Sequence, residues 1–180
     1  MRLQKPRSTS KPNDPEAARQ YCLDLLSGRP RTRTELGDAM RRKGFEEHIV
    51  SEILERYAEV GLIDDAVFAR AWVESRHRSR GLSKRSLVGE LRRKGVDPDF
   101  IDAAVEQVSD EDEREAALEL ARRRYRSLAG QSDDAVLRKL VGMLARKGYN
   151  SGIAIPVVKQ VLAEAESDAA ELLDEDAHFE

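Results

Sequence analysis

The sequence predicts an all-α fold: three tandem three-helix repeats that form an elongated, curved helical array. The first observation is that the tripeptide Arg-Lys-Gly occurs three times, at residues 42–44, 93–95 and 146–148, with offsets of 51 and then 53 residues. The second is that apolar residues around each copy recur at helical spacing. The third is the composition, with 36% charged and 5% aromatic residues, which is typical of soluble helical proteins rather than sandwiches, barrels or membrane proteins.

The second helix of each repeat ends at its Arg-Lys-Gly. Aligned on the glycine, the copies are "LGDAMRRKGF" from Leu36, "LVGELRRKGV" from Leu87 and "LVGMLARKGY" from Leu140. Each has Leu eight residues before the glycine and Met or Leu four before it, which places both on one helical face. Glycine adopts the left-handed conformation that ends a helix, and Lys and Arg in the last turn face the negative end of the helix dipole. Each Arg-Lys-Gly is therefore first of all a helix terminator.

The first and third helices of the repeats show the same periodicity. Apolar residues that mark the first helices are Ala18, Cys22, Leu25 and Leu26, then Phe68, Ala71 and Trp72, then Leu118, Ala121, Tyr125 and Leu128. Those that mark the third helices are Ile49, Ile53, Leu54 and Tyr57, then Phe100, Ala104, Val105 and Val108, then Val157, Val158, Val161 and Leu162. These faces predict nine helices, each burying one side.

Helix starts are predicted from capping residues. Asp14-Pro15 and Asp97-Pro98 each offer an N-cap followed by proline at the first helical position, and Thr32-x-x-Glu35 has the form of a capping box. In the third repeat, Pro156 predicts a last helix that starts late or kinks, because proline inside a helix removes a backbone hydrogen bond.

Five segments follow from these boundaries. The three repeats are predicted at residues 14–62, 63–109 and 110–165. Residues 1–13 form a polar, basic disordered tail, and residues 166–180 form an acidic disordered tail.

The chain lacks a recognisable catalytic or metal-binding constellation, so we expect neither an enzyme nor a cofactor. Its three histidines, His48, His77 and His178, are scattered, and no His/Cys spacing suits zinc. Aspartate pairs at 64–65 and 133–134 stand where helices begin, so we interpret them as capping residues rather than metal ligands. Cys22, the single cysteine, lies on an apolar face and is interpreted as a core residue in a reducing cytoplasm.

No apolar run is long enough to span a membrane, and no signal peptide follows Met1, so we expect a cytoplasmic protein. Trp72 and Phe68 share a face with Ala71 and are interpreted as core residues rather than as a platform for stacking bases.

Basic residues are concentrated in three clusters at corresponding places, namely the end of the first helix of a repeat and the link to the second. From Arg76 to Lys94, eight basic residues stand against Glu90 alone, although the whole chain carries a net charge of −3. The clusters are Arg29, Arg31 and Arg33; Arg76, Arg78, Arg80, Lys84 and Arg85; and Arg122, Arg123, Arg124 and Arg126. The basic residues of the helix ends are Arg41, Arg42, Lys43, Arg92, Arg93, Lys94, Arg146 and Lys147. Stacked repeats would align these residues as a positive stripe.

Two interpretations of this stripe stay open. The residues are either solvated faces paired with nearby acids, or a surface that binds phosphates and acidic protein groups. The chain has neither the exposed aromatics of a single-strand stacking platform nor a helix arrayed to contact base edges, which argues against an ordinary DNA reader.

These features resemble the RecX family, bacterial regulators of the RecA recombinase. The matching stretches are "LLSGRPRTRTEL" from Leu25, "RRKGF" from Arg41, "VGLIDDAVFARAWVESR" from Val60, "LRRKGV" from Leu91 and "ARKGY" from Ala145. They cover about residues 15–165. The resemblance implies tandem three-helix repeats and a non-enzymatic modulator that docks in the groove of the RecA–single-stranded-DNA filament. It also implies inhibition of ATP hydrolysis, strand exchange and co-protease activity.

Under this hypothesis the partner is the RecA filament, DNA phosphates are an auxiliary contact, and the chain acts as a monomer. A second hypothesis is a nucleic-acid-binding repeat protein that works without RecA. A third is a scaffold whose basic stripe binds another acidic protein. Whether binding to DNA requires RecA discriminates the first from the second.

Overall fold

The described part of the chain folds into nine α-helices and one short 3-10 helix. The structure, a computed structural model, describes residues 13–128 and 130–177, with side chains described as far as residue 167. Within these residues there is no β-strand, which confirms the all-α prediction. The helices are α1 (Pro15–Gly28), α2 (Arg33–Lys43), α3 (Glu47–Glu59), α4 (Asp65–Arg80), α5 (Lys84–Arg93), α6 (Pro98–Val105), α7 (Asp110–Tyr125), the 3-10 helix (Arg126–Leu128), α8 (Asp133–Arg146) and α9 (Ser151–Ala177).

The three Arg-Lys-Gly helix ends have the same backbone geometry. Gly44, Gly95 and Gly148 all adopt positive φ angles, of 101°, 72° and 94°. The residue after each glycine donates its N–H to the carbonyl five residues earlier, over N···O distances of 3.2, 3.2 and 3.1 Å: Phe45 to Met40, Val96 to Leu91 and Tyr149 to Leu144. This is a Schellman end, in which the left-handed residue satisfies carbonyls that the helix leaves open. The interpretation of the tripeptide as a helix terminator is confirmed.

The predicted helix starts are also confirmed. The Asp14 carboxylate accepts two backbone N–H bonds in the first turn of α1, and the Asp97 carboxylate accepts one at the start of α6. Thr32 and Glu35 form the reciprocal bonds of a capping box at α2. The Asp64 side chain accepts an N–H in the first turn of α4, as its interpretation as a capping residue requires.

The chain divides into two compact units. The described residues of the first are 13–71 and 91–101, and those of the second are 72–90 and 102–177. Helices α4, α5 and α6 of the middle repeat therefore contribute residues to both units.

Each unit has its own apolar core. The first unit buries apolar residues of all three helices of repeat 1, namely Ala18, Cys22, Leu36, Met40, Phe45, Ile49, Val50, Ile53, Leu54, Tyr57 and Ile63. The second unit buries the matching faces of repeat 3, namely Ala117, Leu118, Leu120, Ala121, Leu128, Val136, Leu140, Leu144, Tyr149, Ala154, Val157, Val158 and Val161. Every repeat 1 residue predicted to mark α3 lies in the first core.

The buried face of α4 differs from the prediction. Ala69 and Val73 are fully buried, whereas Ala71 is exposed and Trp72 only partly buried. Phe68 is buried, as predicted. The helix is rotated so that the Trp72 ring lies at the rim of the core, where its N–H reaches a carboxylate (see below). An indole needs such a partner for its N–H, which favours the rim over the interior.

The apolar face of α6 is shifted by one residue. Phe100 is 43% exposed, and Ile101 is buried in its place, beside Ala104 and Val108. Two adjacent apolar residues point about 100° apart on a helix, so the sequence pattern allowed either one to face the core.

The last helix does not start late, and it ends at a later residue than predicted. α9 begins three residues after Gly148, the same offset as in the other repeats, and the Asn150 side chain accepts the Ile153 N–H at 3.0 Å. The prediction of a late start is wrong. Pro156 lies inside the helix and leaves the Gly152 carbonyl without its usual donor.

The helix continues to Ala177, twelve residues beyond the predicted boundary at 165, through a stretch rich in the strong helix formers Ala, Glu and Leu. Of the two predicted tails, residues 1–12 and 178–180 lie outside the described residues.

Candidate functional site

The second helices of successive repeats meet at two joints, and these joints organise the predicted basic residues. The first joint consists of residues 32–35 at the start of α2 and residues 92–95 at the end of α5, all within the first unit. The second joint consists of residues 83–86 at the start of α5 and residues 146–148 at the end of α8, all within the second unit. At each joint, a basic cluster therefore meets the Arg-Lys-Gly of the following repeat.

In the first joint the contacts come from side chains. The Thr32 hydroxyl, which is fully buried, donates to the Lys94 carbonyl over 2.6 Å. The Thr34 hydroxyl donates to the Gly95 carbonyl over 3.0 Å. The Lys94 ammonium donates to the Glu35 carboxylate over 2.7 Å. Lys94 is thus held at both its backbone and its side chain.

In the second joint the contacts involve more of the backbone. The Ser83 N–H donates to the Lys147 carbonyl over 3.2 Å, and the Lys147 ammonium donates to the Arg80 carbonyl over 2.8 Å. The Tyr149 hydroxyl, which is buried, donates to the Gly81 carbonyl over 3.0 Å. These bonds tie the end of α4 and the start of α5 to the end of α8.

An acid from the next repeat binds the first N–H of the second helix at both joints. The Asp65 carboxylate accepts the Arg33 N–H at 2.9 Å, and the Glu113 carboxylate accepts the Lys84 N–H at 2.8 Å. Both carboxylates lie at the positive end of a helix dipole. The Lys84 ammonium also pairs with Asp110 at 2.6 Å. The sequence does not show that Asp65 and Glu113 bind these N–H groups, because each acid lies 32 or 29 residues from its donor.

Two carboxyl groups of the first joint have shifted pKa values in opposite directions. Burial alone would raise the pKa of Glu35, but the hydrogen bonds from Lys94 and Thr32 and the charge of Arg29 outweigh it and lower this pKa. Burial raises the pKa of Asp65, against the hydrogen bond and charge of Arg33.

The glycines of the two joints are needed for close approach as well as for backbone angle. A Cβ on Gly95 would lie 2.5 Å from the Thr34 side chain, and a Cβ on Gly148 would overlap the Ser86 hydroxyl. Gly44, which takes part in neither joint, has open space at the same position.

The twenty predicted basic residues divide into two groups. The first group has an internal partner among the described residues: Arg29, Arg31, Arg41, Lys43, Arg76, Arg78, Lys84, Lys94, Arg122, Arg124 and Lys147. The second group is exposed and forms no ion pair with a described residue: Arg33, Arg42, Arg80, Arg85, Arg92, Arg93, Arg123, Arg126 and Arg146. Six of the second group belong to the joints or adjoin them.

Arg76 belongs to a stack rather than to an open surface. Its guanidinium lies 4.2 Å from the centre of the Trp72 ring and 3.9 Å from the Glu90 carboxylate. The Trp72 indole N–H donates to the same carboxylate over 2.8 Å. The interpretation of Trp72 as a core residue is corrected: the ring supports Arg76 at the rim of the second unit.

Two arginines are neutralised by bidentate ion pairs. Arg41 binds Glu47 over 2.7 and 2.8 Å, and Arg122 binds Glu164 over 2.9 and 2.7 Å. The hydrogen bonds from Arg122 and Gln160 lower the pKa of Glu164 to about 2. These two arginines are therefore poorer candidates for a partner surface than the exposed arginines at the joints.

The third cluster adjoins a cationic groove between α7 and α8. Arg124 lines this groove together with Arg138, Lys139 and Arg146. Arg138 and Lys139 are absent from the predicted clusters, because they stand within the apolar pattern of α8 and not in a run of basic residues. A helical-wheel view of α8 shows the signal, since residues 138, 142 and 146 share one face.

The remaining reactive groups are inert or dispersed. Burial raises the pKa of the Cys22 thiol to about 11, so the thiol stays protonated. Among the described residues, no three His, Cys, Asp or Glu side chains come together as a set of metal ligands. None of the described helices combines the length and apolar character needed to cross a membrane.

Family models match the chain in all three repeats. The first three-helix domain of RecX matches residues 18–56, the second three-helix domain matches residues 64–105, and the third matches residues 110–158. These ranges fall within the three predicted repeats.

Curated relatives and solved structures agree with these matches. Regulatory protein RecX of Streptomyces lividans is 52% identical over 165 residues, covering 91% of this chain and 88% of the relative. Regulatory protein RecX of Thermobifida fusca is 46% identical, covering 87% of this chain and 85% of the relative. The crystal structure of RecX from Lactobacillus salivarius has a similar fold, with a TM-score of 0.75 at 23% identity over 83% of this chain and 97% of that one.

Proposed function

Since the chain belongs to the RecX family of regulatory proteins, we propose that it regulates the RecA recombinase. It binds in the groove of the RecA filament on single-stranded DNA and acts mainly as an inhibitor of ATP hydrolysis, strand exchange and co-protease activity. Its action is by binding and not by catalysis. RecA supplies the main contact, and DNA phosphates supply an auxiliary one.

The observation that carries this proposal is the charge at the two joints. Exposed arginines that form no ion pair with a described residue surround each joint: Arg33, Arg92 and Arg93 at the first, and Arg80, Arg85 and Arg146 at the second. The backbone beneath them is fixed by the hydrogen bonds of the joint. A guanidinium on a fixed backbone binds carboxylates or phosphates without further loss of backbone conformational entropy.

The proposal is tested by titrating RecA ATP hydrolysis on single-stranded DNA with the wild type and two double variants. Arg85→Gln with Arg93→Gln removes one exposed arginine at each joint. Arg19→Gln with Arg56→Gln removes the same charge from exposed sites outside the predicted clusters. We expect suppression by the wild type and the control at low ratios. The joint variant should need roughly fivefold to thirtyfold more protein, from about 0.5–1 kcal/mol for each of the two lost contacts.

Equal suppression by both variants would remove the joints from the interface. No suppression by the wild type would contradict regulation of RecA through its ATPase.

A second candidate is a nucleic-acid-binding protein that acts without RecA. The α7–α8 groove favours it, because four cations line the groove and no carboxylate does. Tight, salt-sensitive binding to bare DNA together with an unchanged RecA ATPase is the result that would place this candidate first.

A further inference from the structure

The groove between α7 and α8 has the chemistry of an anion site. It has a volume of about 550 Å³ and is lined by Arg124, Ala135, Arg138, Lys139, Gly142, Met143 and Arg146. Four of these seven residues are cationic, none is acidic, and the other three are apolar. The groove lies wholly within the second unit, on repeat 3.

No acidic side chain among the described residues pairs with the cations of this groove. Arg138 and Arg146 form no ion pair there. Arg124 donates to the Ser127 hydroxyl at 3.0 Å, and Lys139 donates to the Gln131 side-chain carbonyl at 2.5 Å. Both of those partners are uncharged.

The cations of α8 form a line. Arg138, Gly142 and Arg146 are spaced by four residues and share one face of the helix. Arg138 and Arg146 are eight residues apart, which is about 12 Å along the helix axis. Successive phosphates of one strand lie roughly 3.4 Å apart along a duplex and farther apart in an extended single strand, so this span reaches at least two phosphates.

The small residue at the centre of the line opens the floor of the groove. A Cβ at Gly142 would meet only the Arg146 guanidinium, at an ordinary 3.6 Å. The site therefore has room for a side chain, although glycine in a helix interior weakens the helix relative to alanine. A side chain introduced at position 142 would therefore enter the groove with only the Arg146 guanidinium beside its Cβ.

We propose that this groove binds the phosphodiester backbone of nucleic acid. Arginine and lysine side chains only donate hydrogen bonds, so the polar side chains of the groove offer no acceptor. A peptide lying in the groove would leave its N–H groups without partners, which is costly. A phosphodiester carries only acceptors and negative charge. No aromatic ring lines the groove, so the contact is to the backbone and independent of base sequence.

This inference rests on the proposed function and deepens it. It places the auxiliary DNA contact on repeat 3 and adds Arg138 and Lys139, which belong to none of the basic clusters of the sequence. The exposed arginines of the joints other than Arg146, which also lines the groove, are left for the contact with RecA.

The test uses a matched pair of variants at Gly142. Gly142→Glu puts a carboxylate among the four cations, and Gly142→Gln puts a neutral side chain of the same size there. Both residues favour a helix more than glycine does. Binding to a short labelled single-stranded oligonucleotide is measured by fluorescence anisotropy over a range of salt, without RecA, and folding is checked by circular dichroism.

We expect Gly142→Gln to bind within about twofold of the wild type and Gly142→Glu to bind at least about tenfold more weakly, with a shallower salt dependence. Equal affinity of the two variants would overturn the proposal. If both Gly142 variants lose binding, the salt dependence of binding is measured for the double variant Arg138→Gln with Arg146→Gln. A salt slope reduced by about two supports the groove, and an unchanged slope overturns the proposal.

Two further arms separate the alternatives. A labelled polyglutamate that binds more tightly than the oligonucleotide, and is lost in Gly142→Glu, would overturn the proposal in favour of an acidic protein partner. The RecA ATPase assay is read separately. If the oligonucleotide binds through the groove and the ATPase is unaffected, the groove proposal is supported and the RecA proposal is contradicted. If the ATPase is suppressed and the two Gly142 variants bind the oligonucleotide equally, the RecA proposal is supported and the groove proposal is contradicted.

Discussion

The first and second joints share a backbone frame but are fixed by different bonds. In both, a buried Thr or Ser precedes the second helix and a hydrogen bond reaches the lysine carbonyl of the next Arg-Lys-Gly. At the first joint the donor is the Thr32 hydroxyl, whereas at the second it is the Ser83 backbone N–H. The lysine side chain also differs, since Lys94 binds a carboxylate and Lys147 binds a carbonyl.

This difference shows which part of the repeat is required by geometry. The helix ends and the close approach at the glycine recur, so the backbone frame does not depend on a particular side chain. The side-chain bonds are local solutions. One pairs the lysine of the first joint with Glu35, and the other gives Lys147 a carbonyl partner and no ion pair with a described residue.

Substitution of the three glycines is expected to have the largest effect on the free energy of unfolding. Gly44→Ala loses only the left-handed backbone preference and should cost about 1–2 kcal/mol in the free energy of unfolding. Gly95→Ala and Gly148→Ala also force a methyl group into the facing Thr or Ser side chains, so each should cost about 2–4 kcal/mol. Urea denaturation of the three variants measures these values. Equal costs at all three positions would mean that the close approach carries no energy.

Thr32 and Ser83 are expected to respond differently. Thr32→Ala removes the helix cap and the hydroxyl bond to the Lys94 carbonyl, and should cost about 2–3 kcal/mol. Ser83→Ala removes the cap but keeps the N–H bond to Lys147, and should cost about 1 kcal/mol. Thr32→Ser is the control, because it retains the hydroxyl. A Ser83→Ala cost equal to that of Thr32→Ala would show that the donor type is irrelevant.

The smallest expected effect is the acid dependence of the first joint. The pKa of Glu35 is below its ordinary value of 4.5 in the folded state, so its stabilising contribution is complete above that pH. The contribution is lost as the pH falls below 4.5 through the folded-state pKa. Urea midpoints measured across this range should fall less steeply in Lys94→Met than in the wild type.

Lys147→Met is the matched comparison at the second joint. The Arg80 carbonyl does not titrate, so this variant should keep the acid dependence of the wild type while losing stability at every pH. A change in acid dependence in Lys147→Met, or none in Lys94→Met, would contradict the different roles of the two lysines.

The local features of the fold were predictable from the sequence. Capping residues such as Asp14 and Thr32, and the three glycine helix ends, act within four or five residues, so their spacing is visible in one stretch of chain. The faces of α1 and α3 were predictable because their apolar residues recur at helical spacing, as Ile49, Ile53 and Tyr57 do.

The errors occurred where two adjacent residues compete for one face. Trp72 next to Val73, and Phe100 next to Ile101, each offer two apolar faces about 100° apart. The larger aromatic residue was predicted to be buried, and the structure buries the β-branched residue instead. Packing against other helices made this choice, and packing is not encoded in the spacing of one helix.

The candidate site was only partly predictable for a related reason. The clusters of basic residues were visible, but their partners were not: Thr32 reaches Lys94 across 62 residues and Tyr149 reaches Gly81 across 68. From the sequence, Lys94 and Lys147 are therefore predicted to be surface charges, although each is bonded within a joint. Arg138 was missed because its neighbours in the groove come from another turn and another helix.

Each joint has a donor half at the start of a second helix and an acceptor half at an Arg-Lys-Gly, and the middle repeat uses both. Within the described residues, Gly44 is an acceptor half that faces open space, and Ser132 before α8 is a donor half whose side chain makes no cap bond. A duplicated middle repeat would meet complementary halves on both sides. In evolutionary terms, an in-frame duplication of the middle repeat would lengthen the array, because the new joint would reuse a donor half and an acceptor half that the chain already has.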